Sequence, residues 1–298
     1  MRCIARSTAG IEWAASQLAS SAYAALGDDA LKDFDSAGWV LDLPASIQPV
    51  WMQRIGAIRL ADRLAENQQL DPASRRFDGF TSGLGTLRPS SVQAATDGVP
   101  RLAAQDFVGD GPAVFVAWTH YLAALRTYHR HDLRLPTLSE HRTMLDRLSG
   151  SLFQLVPFLS PPQFEAIRGL GVLDQFFNNL RDLAEDAAHR ICYFPDDVLA
   201  RAGLRRDDVL GDSWRSTPSW PELMRFWLDE YLPELERGAA RFDACDDLHP
   251  SVARLRSECR ARYLRILHRF RAVRFDFRRF AEEYWREVRA SAGAKPSR

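Results

Sequence analysis

Apolar residues recur every three or four positions along most of this chain, the spacing that gathers them on one face of a helix. No region alternates apolar and polar residues as a half-buried strand does. The pattern predicts an all-α protein of about eight helices. The predicted helices are residues 10–25, one from Asp42 and Pro44, one from Pro112, one from Pro195 and Asp196 to Gly203, and residues 219–245, 250–273 and 276–290.

Local signals place two further helices and one long loop. Thr137 and Glu140 form a T-x-x-E capping box at a helix start. Ser160, followed by two prolines, begins a helix that is predicted to continue to about His189. Residues 68–110 are polar, with scattered glycine, proline and serine, and are predicted to form a loop with short helical pieces. Such loops are often lids or binding elements.

Composition narrows the class of protein further. Hydrophobic residues make up 46% of the 298 residues and charged residues 26%, and the formal net charge is zero. This balance does not favour a nucleic-acid partner, and no apolar run is long enough for a transmembrane helix. The four cysteines form no CxxC pair, and the N-terminus is expected to begin a helix and not a signal peptide. We therefore expect one cytoplasmic domain over residues 1–298.

The segment from residue 174 to 204 carries the strongest chemical signal. Residues four apart share a helix face, so Gln175, Asn178, Asp182 and Asp186 form one polar stripe, with Glu185 beside it. Carboxylates that repel one another favour a bound cation, and hard oxygen ligands favour Mg²⁺ shared with a substrate phosphate. Two neighbouring arginines that could contact a diphosphate are Arg181 and Arg190.

A second acidic pair, Asp62 and Glu66, is also spaced four residues apart, with Arg59 one turn before it. Taken alone, such a pair is more often a solvated helix face. Two acidic helices that face each other across a cavity would hold Mg²⁺ ions against a diphosphate. An allylic carbocation could then form in a dry, aromatic-lined pocket.

These residues resemble a known family. NNLRDLAED followed by YFPDDVLARAGL is similar to the second acidic motif of the squalene and phytoene synthases. The matching positions are Gln175, Asn178, Leu180, Arg181, Asp182, Glu185, Asp186 and Tyr193. Further matches are Leu43-Pro44, Arg59 and Asp62 of the first motif, Thr137, Glu140 and Gly150, and Tyr263 with Ile266 and Leu267. The resemblance implies an isoprenoid synthase helical bundle around a central cavity.

The resemblance also implies a site. The expected catalytic residues are Asp62, Glu66, Asp182 and Asp186, and with Asn178 they are the expected Mg²⁺ ligands. The expected substrate-binding residues are Arg59, Gln175, Asn178, Arg181, Tyr193, Arg190, Met144, Ile55 and Phe153.

The chain departs from the family pattern at five positions. Glu66 stands in place of the last aspartate of the first motif, and Arg63 replaces an acidic residue inside that motif. Ile55 and Met144 replace pocket tyrosines, and Phe153 replaces a glycine. Glutamate still binds Mg²⁺, but its longer side chain shifts the ion. Phe153 is expected to shorten the cavity.

These departures lead to three hypotheses. A shorter cavity suits one prenyl donor and a neutral acceptor, as in squalene-synthase-like enzymes that prenylate a carbazole. The leading hypothesis is therefore Mg²⁺-dependent transfer of a prenyl group, from dimethylallyl diphosphate, to a small aromatic acceptor in natural-product biosynthesis. The first alternative is a divergent head-to-head synthase. The second is a non-catalytic assembly protein of the same fold, against which the intact Asp182 and Asp186 argue.

Some features leave their role open. His120 with Tyr121 could supply the base for an aromatic acceptor, although a structural histidine is the commoner case. The aromatic residues that could line the pocket, or simply form core, are Trp118, Phe176, Phe177, Trp227 and Tyr263. The basic, aromatic C-terminal stretch could bind nucleic acid or a membrane surface, but amphipathic helices with outward arginines are the favoured interpretation.

Overall fold

The computed structural model of the protein describes residues 30–84, 111–211 and 213–293, and all regular structure within these ranges is helical. The predicted all-α class is confirmed, and the helix expected over residues 10–25 lies outside the described residues.

The α-helices are α1 (Ala30–Ala37), α2 (Gln48–Leu70), α3 (Arg76–Leu84), α4 (Pro112–Tyr128), α5 (Leu138–Leu145), α6 (Pro161–Arg181), α7 (Leu183–Ala188), α8 (Asp196–Arg201), α9 (Arg206–Leu210), α10 (Ser219–Arg225), α11 (Leu232–Asp243), α12 (Pro250–Ala272) and α13 (Phe277–Gly293). A π-helical turn, Asp146–Gly150, follows α5 and continues as the turn Ser151–Phe153, and a second π turn, Phe226–Tyr231, joins α10 to α11.

Local sequence signals explain several helix starts. The Thr137 side chain accepts from the backbone N–H of Glu140, whose carboxylate accepts from the Thr137 N–H, so the predicted capping box is confirmed. Ser160 and Gln163 form a second capping box ahead of α6. Helix α4 begins at Pro112 as predicted.

One predicted helix start is wrong. Helix α2 begins at Gln48, and Asp42 instead ends a 3₁₀ turn over Gly38–Asp42. The Gln48 side-chain amide donates to the carbonyls of Leu41 and Leu43 at 3.1 and 2.7 Å, which holds the preceding loop against the start of α2. The helix then continues to Leu70, into the segment that was predicted to be a loop.

Helix α6 lies at the centre of the core. It packs against α5 and its π turn on one side and against α11 and α12 on the other. Phe177 of α6 stacks on Tyr263 of α12, with ring centroids 4.5 Å apart and an interplanar angle of 7°. Phe176 stacks on Trp227 of the second π turn at 5.7 Å. These rings fill the core because α6 is apolar on the faces away from its polar stripe.

Two glycines allow this close packing. A Cβ at Gly171 would lie 2.1 Å from the carbonyl oxygen of Ser149 in the first π turn, and a Cβ at Gly169 would lie 2.3 Å from the carbonyl oxygen of Gly238 in α11. The backbone of α6 therefore touches the backbone of both neighbours, which no residue larger than glycine allows at this separation.

We expect Gly171→Ala to lower the free energy of unfolding by about 2–3 kcal/mol, because the added methyl group must displace backbone atoms. Gly238→Ala is the matched control: a Cβ at Gly238 meets nothing within 4 Å, and alanine should raise helix stability by up to about 1 kcal/mol. Urea unfolding followed by circular dichroism measures both. Equal stability of the two variants would contradict the packing described above.

A buried histidine packs beside α6. His141 of α5 is 1% exposed, and its Nδ1 lies 3.0 Å from the Tyr231 hydroxyl. Its ring also packs edge-on against Trp227 at 5.0 Å. Burial lowers the pKa of His141 from 6.5 to about 3. The imidazole is therefore neutral in the folded protein over most of the acidic range.

Stability should accordingly fall on acidification. Below about pH 6.5 the unfolded chain takes up a proton at His141 while the folded protein does not, so stability falls by up to about 1.4 kcal/mol per pH unit as the pH drops toward 3. We expect His141→Gln, which keeps a partner for Tyr231, to lose this contribution. The measurement is the difference in unfolding free energy between wild type and variant at pH 7, 6 and 5. A difference that does not change with pH would contradict the prediction.

The C-terminal helices pair with each other. Arg269 of α12 lies 3.3 Å from Glu283 and 2.6 Å from Glu287 of α13. Helix α13 also packs against α1 and against α7, the helix that contains Asp186 of the second acidic motif. Within the described ranges, no helix has the length and apolar character needed to cross a bilayer.

Candidate active site

A cavity of about 460 Å³ lies between α1, α2, the turn after α5, α6, α7 and α12. Most of the predicted site residues line it. They are Ile55, Arg59, Asp62, Glu66, Phe153, Gln175, Asn178, Arg181, Asp182, Asp186 and Tyr193. The two acidic motifs therefore meet at one cavity.

Two predicted substrate-binding residues do not line the cavity. Met144 is completely buried in the core beneath the π turn. Arg190 follows the end of α7 with a left-handed φ of 65°, and its exposed side chain lies 3.2 Å from Asp207. The turn after α7 directs Arg190 toward α9, so its assignment and that of Met144 are corrected.

The second acidic motif includes a break in the helix. The predicted continuous helix to about His189 ends at Arg181, and Asp182 adopts φ −94° and ψ 5° before α7 begins. Arg181 donates from Nε and Nη2 to the two oxygens of Asp182, at 2.8 and 2.7 Å. Burial raises the pKa of Asp182, but Arg181 and Lys32 outweigh it and hold the pKa below its usual value. Asp182 is therefore an ionised carboxylate clamped by its neighbour.

Asp186 has a different environment. It is half-buried, and no cationic side chain among the described residues lies within ion-pair distance of it. Burial raises its pKa well above the usual value, and the charges of Asp182, Glu185 and Glu66 raise it further. Because Glu66 belongs to the first motif, this coupling shows that the two motifs are electrostatically close. A bound cation would relieve the repulsion.

The first motif is held by a residue that sequence analysis missed. Asp33 of α1 is buried; its Oδ1 lies 2.6 Å from Arg59 Nε, and its Oδ2 lies 3.6 Å from Arg63 Nη2. Arg59 in turn lies 3.4 Å from Asp62. The basic residue inside the first motif is therefore compensated by a carboxylate from another helix.

Helix α1 also reaches the second motif. Lys32 lies 2.8 Å from Glu185 and 3.9 Å from Asp182. Asp35 of α1 accepts a hydrogen bond from Tyr284 at 2.7 Å and pairs with Arg181 at 3.6 Å and with Arg265. In the sequence, Lys32, Asp33 and Asp35 appear only as alternating charges in the segment KDFDS. This spacing does not by itself indicate catalytic residues.

Part of the cavity lining is apolar. Trp39 and Trp51 pack edge to face with centroids 5.0 Å apart, and both line the cavity with Ile55, Leu152 and Phe153. The five aromatic residues that were candidates for this wall form core outside the lining: Trp118, Phe176, Phe177, Trp227 and Tyr263. The faces of Trp39 and Trp51 in this lining can shield a cation from water.

The position of His120 agrees with the commoner case of a structural histidine. His120 is exposed and lies outside the cavity lining, whereas His129, at the end of α4, lines it. Burial lowers the pKa of His129, and Asp62 partly opposes that shift.

A family model of the squalene/phytoene synthases matches residues 40–291. The chain belongs to this family. The match covers both acidic motifs and the helices from α2 to α12.

Individual relatives align over shorter stretches. The chain is 33% identical to phytoene synthase 1, chloroplastic, of Arabidopsis thaliana over 84 residues, which are 27% of this chain and 19% of that protein. It is 44% identical to the chloroplastic phytoene synthase of Narcissus pseudonarcissus over 57 residues, 18% and 14% of the two chains. For the 15-cis-phytoene synthase of Synechococcus elongatus the values are 33% over 89 residues, 28% and 27%. Each aligned stretch thus spans less than a third of the relative's own length.

Proposed function

We propose that this squalene/phytoene synthase family member is a prenyltransferase that joins two prenyl diphosphates head to head. The observation that carries the proposal is that Asp62 and Glu66 of one motif and Asp182 and Asp186 of the other line a single cavity. Apolar residues, among them Trp39, Trp51 and Phe153, line the same cavity. A diphosphate and a prenyl chain require these two environments side by side.

The donor set fits divalent metal ions. Asp62, Glu66, Asn178, Asp182 and Asp186 present the hard oxygen atoms that Mg²⁺ prefers. No group of three or more His, Cys, Asp or Glu side chains within the described ranges is arranged to hold a metal ion by itself. The remaining ligands are then water and substrate phosphate, as is usual for Mg²⁺. When bound, the metal supplies charge that stabilises the diphosphate as a leaving group.

The protein's own residues account for the other requirements. Lys32, Arg59 and Arg181 line the cavity beside the acidic motifs and can donate hydrogen bonds to phosphate oxygens. The C–O bond of the first substrate breaks, and its electron pair leaves with the diphosphate. The π electrons of the second substrate's double bond then form the new C–C bond, and the cation left on that substrate closes to a cyclopropyl diphosphate by losing a proton, which the released diphosphate can accept. Trp39 and Trp51 keep water from the allylic cation during this step.

The relatives favour this reaction over the leading sequence hypothesis. They are named phytoene synthases, whereas transfer to a carbazole or another aromatic acceptor was inferred from departures at Ile55, Glu66, Met144 and Phe153. Of these, Met144 does not line the cavity. The basic residue Arg63 lies 3.6 Å from Asp33 of α1, so its presence in the motif does not require an aromatic acceptor.

Product analysis tests the proposal. Purified protein is incubated with Mg²⁺ and farnesyl or geranylgeranyl diphosphate alone, and separately with dimethylallyl diphosphate and a panel of indoles, carbazoles and phenols. We expect mass spectrometry to find a coupled hydrocarbon or a cyclopropyl diphosphate from the diphosphate alone. An acceptor-plus-prenyl mass without any coupled product would replace the proposal with aromatic prenyl transfer. Failure to bind a thiodiphosphate analogue with Mg²⁺ would instead indicate a non-catalytic protein.

A further inference from the structure

A buried ion pair lies in the wall of the cavity beside the second acidic motif. Asp174 of α6 is 7% exposed, and Arg262 of α12 is 5% exposed. The Arg262 Nη2 donates to Asp174 Oδ1, and the Tyr263 hydroxyl donates to the same oxygen at 2.9 Å. Both charged residues line the cavity. A buried ion pair seldom adds stability by itself, because a protein with apolar residues of similar volume in its place is often as stable or more stable.

The other oxygen of Asp174 determines the orientation of a predicted metal ligand. Asn178 lies one helical turn later, and its Nδ2 donates to Asp174 Oδ2 at 3.0 Å. An ionised carboxylate only accepts hydrogen bonds, so the NH₂ group of Asn178 and not its oxygen must face Asp174. The Asn178 Oδ1 consequently faces away from Asp174.

The Asn178 Oδ1 is itself unusual. It is buried and has no hydrogen-bond partner within the part of the chain that the structure describes. A buried amide oxygen without a partner costs free energy, which a ligand in the cavity would recover. Asn178 lies one turn before Asp182 on the cavity wall, so the ligand that fits is a cation shared with the acidic motifs.

We infer that Asp174, held by Arg262 and Tyr263, is a positioning residue that directs the Asn178 oxygen toward a divalent cation at the acidic motifs. Partners behind a metal ligand commonly orient it in this way, and their loss typically lowers metal affinity by about 10- to 100-fold. The inference rests on the proposed function, since the cation is the one that would accompany the diphosphate.

The test removes the ion pair without leaving a buried charge. Asp174→Leu combined with Arg262→Met replaces both partners by apolar side chains, which is often neutral for stability. The Asn178 amide then has no carboxylate to orient it. We expect the Mg²⁺ concentration for half-maximal binding of farnesyl thiodiphosphate to rise about 10-fold or more in calorimetry, with the melting temperature nearly unchanged.

A rescue distinguishes positioning from a merely structural role. Asn178→Asp supplies an oxygen in either orientation, so in the double variant it should restore the Mg²⁺ requirement toward that of wild type. In the wild-type background the same substitution places a carboxylate against Asp174, so it should raise the Mg²⁺ requirement. A structural role would not reverse the sign of one substitution between two backgrounds.

A control and a milder variant complete the design. Asp243→Asn with Arg260→Gln removes a different ion pair of α12, the one with α11 outside the cavity lining, and should not change the Mg²⁺ requirement. If the double variant does not fold, Asp174→Asn alone, whose amide can present either group to Asn178, should raise the requirement in the same direction.

The outcomes separate the inference from the proposed function. Folded variants with a wild-type Mg²⁺ requirement would overturn the positioning role while leaving the proposed function intact. Wild-type protein that binds the analogue equally well without Mg²⁺ would overturn the proposed function, and this inference with it.

Discussion

Replacing Asp186 by asparagine should reduce product formation by roughly 10²- to 10³-fold, the scale expected when a group that stabilises a developing charge is removed. It should not lower the melting temperature. Asp186 has no ion-pair partner among the described residues, and burial together with the charges of Asp182, Glu185 and Glu66 disfavours its ionised form. The neutral amide removes this repulsion, so stability should stay constant or rise.

Glu185→Gln is the matched control. Glu185 lies next to Asp186, but its side chain is 46% exposed and pairs with Lys32. We expect this variant to keep most of its turnover. Product assays with Mg²⁺ and a prenyl diphosphate, together with thermal unfolding, give both quantities. An active Asp186→Asn protein would remove α7 from the proposed metal site.

Arg181→Met should lower both stability and turnover. The Arg181 side chain is 5% exposed and contacts Asp182 through two hydrogen bonds and Asp35 at 3.6 Å. The guanidinium also lies over the Trp285 ring at 5.4 Å. Removing one member of a buried charge network leaves the carboxylates uncompensated, so we expect a loss of about 3 kcal/mol in unfolding free energy. Turnover should fall by roughly 10²-fold, because Asp182 loses the group that orients it.

Arg190→Met provides the comparison. Sequence analysis assigned both arginines to the substrate, but Arg190 is exposed and pairs with Asp207 on the surface. Surface ion pairs contribute about 1 kcal/mol or less, so this variant should match wild type in stability and turnover. Denaturant unfolding and product assays measure both effects. Equal effects of the two substitutions would contradict the roles that the structure assigns.

Helix α1 and the C-terminal helices α12 and α13 together supply ion-pair and hydrogen-bond partners to the residues of the acidic motifs. Asp33 holds the arginines of the first motif, Lys32 reaches the second motif, and Asp35 joins Arg181 to α12 and α13. Segments from both ends of the described chain thus converge on the acidic motifs. This explains how the first motif can contain a basic residue without losing its charge balance.

Features that depend on a few neighbouring residues were predicted from the sequence. Pro112 starts α4, and Thr137 with Glu140 caps α5, because these interactions span three or four residues. The spacing of Asp182 and Asp186 placed both on the cavity, as helix geometry requires. The similarity of NNLRDLAED to the family motif agrees with the match over residues 40–291.

Only the tertiary structure determined which residues hold the acidic motifs in place. Asp35 meets Tyr284, and Asp174 meets Arg262, across 249 and 88 positions of the chain. Periodicity shows which face of a helix is polar but not which other helix that face meets, so neither pair could be foreseen. Met144 and Arg190 were also misplaced: Met144 is buried in α5 outside the cavity lining, and a left-handed turn takes Arg190 to Asp207. The sequence alone determined the all-helical class, several helix bounds and the acidic motifs, and only packing determined the charges that hold those motifs in place.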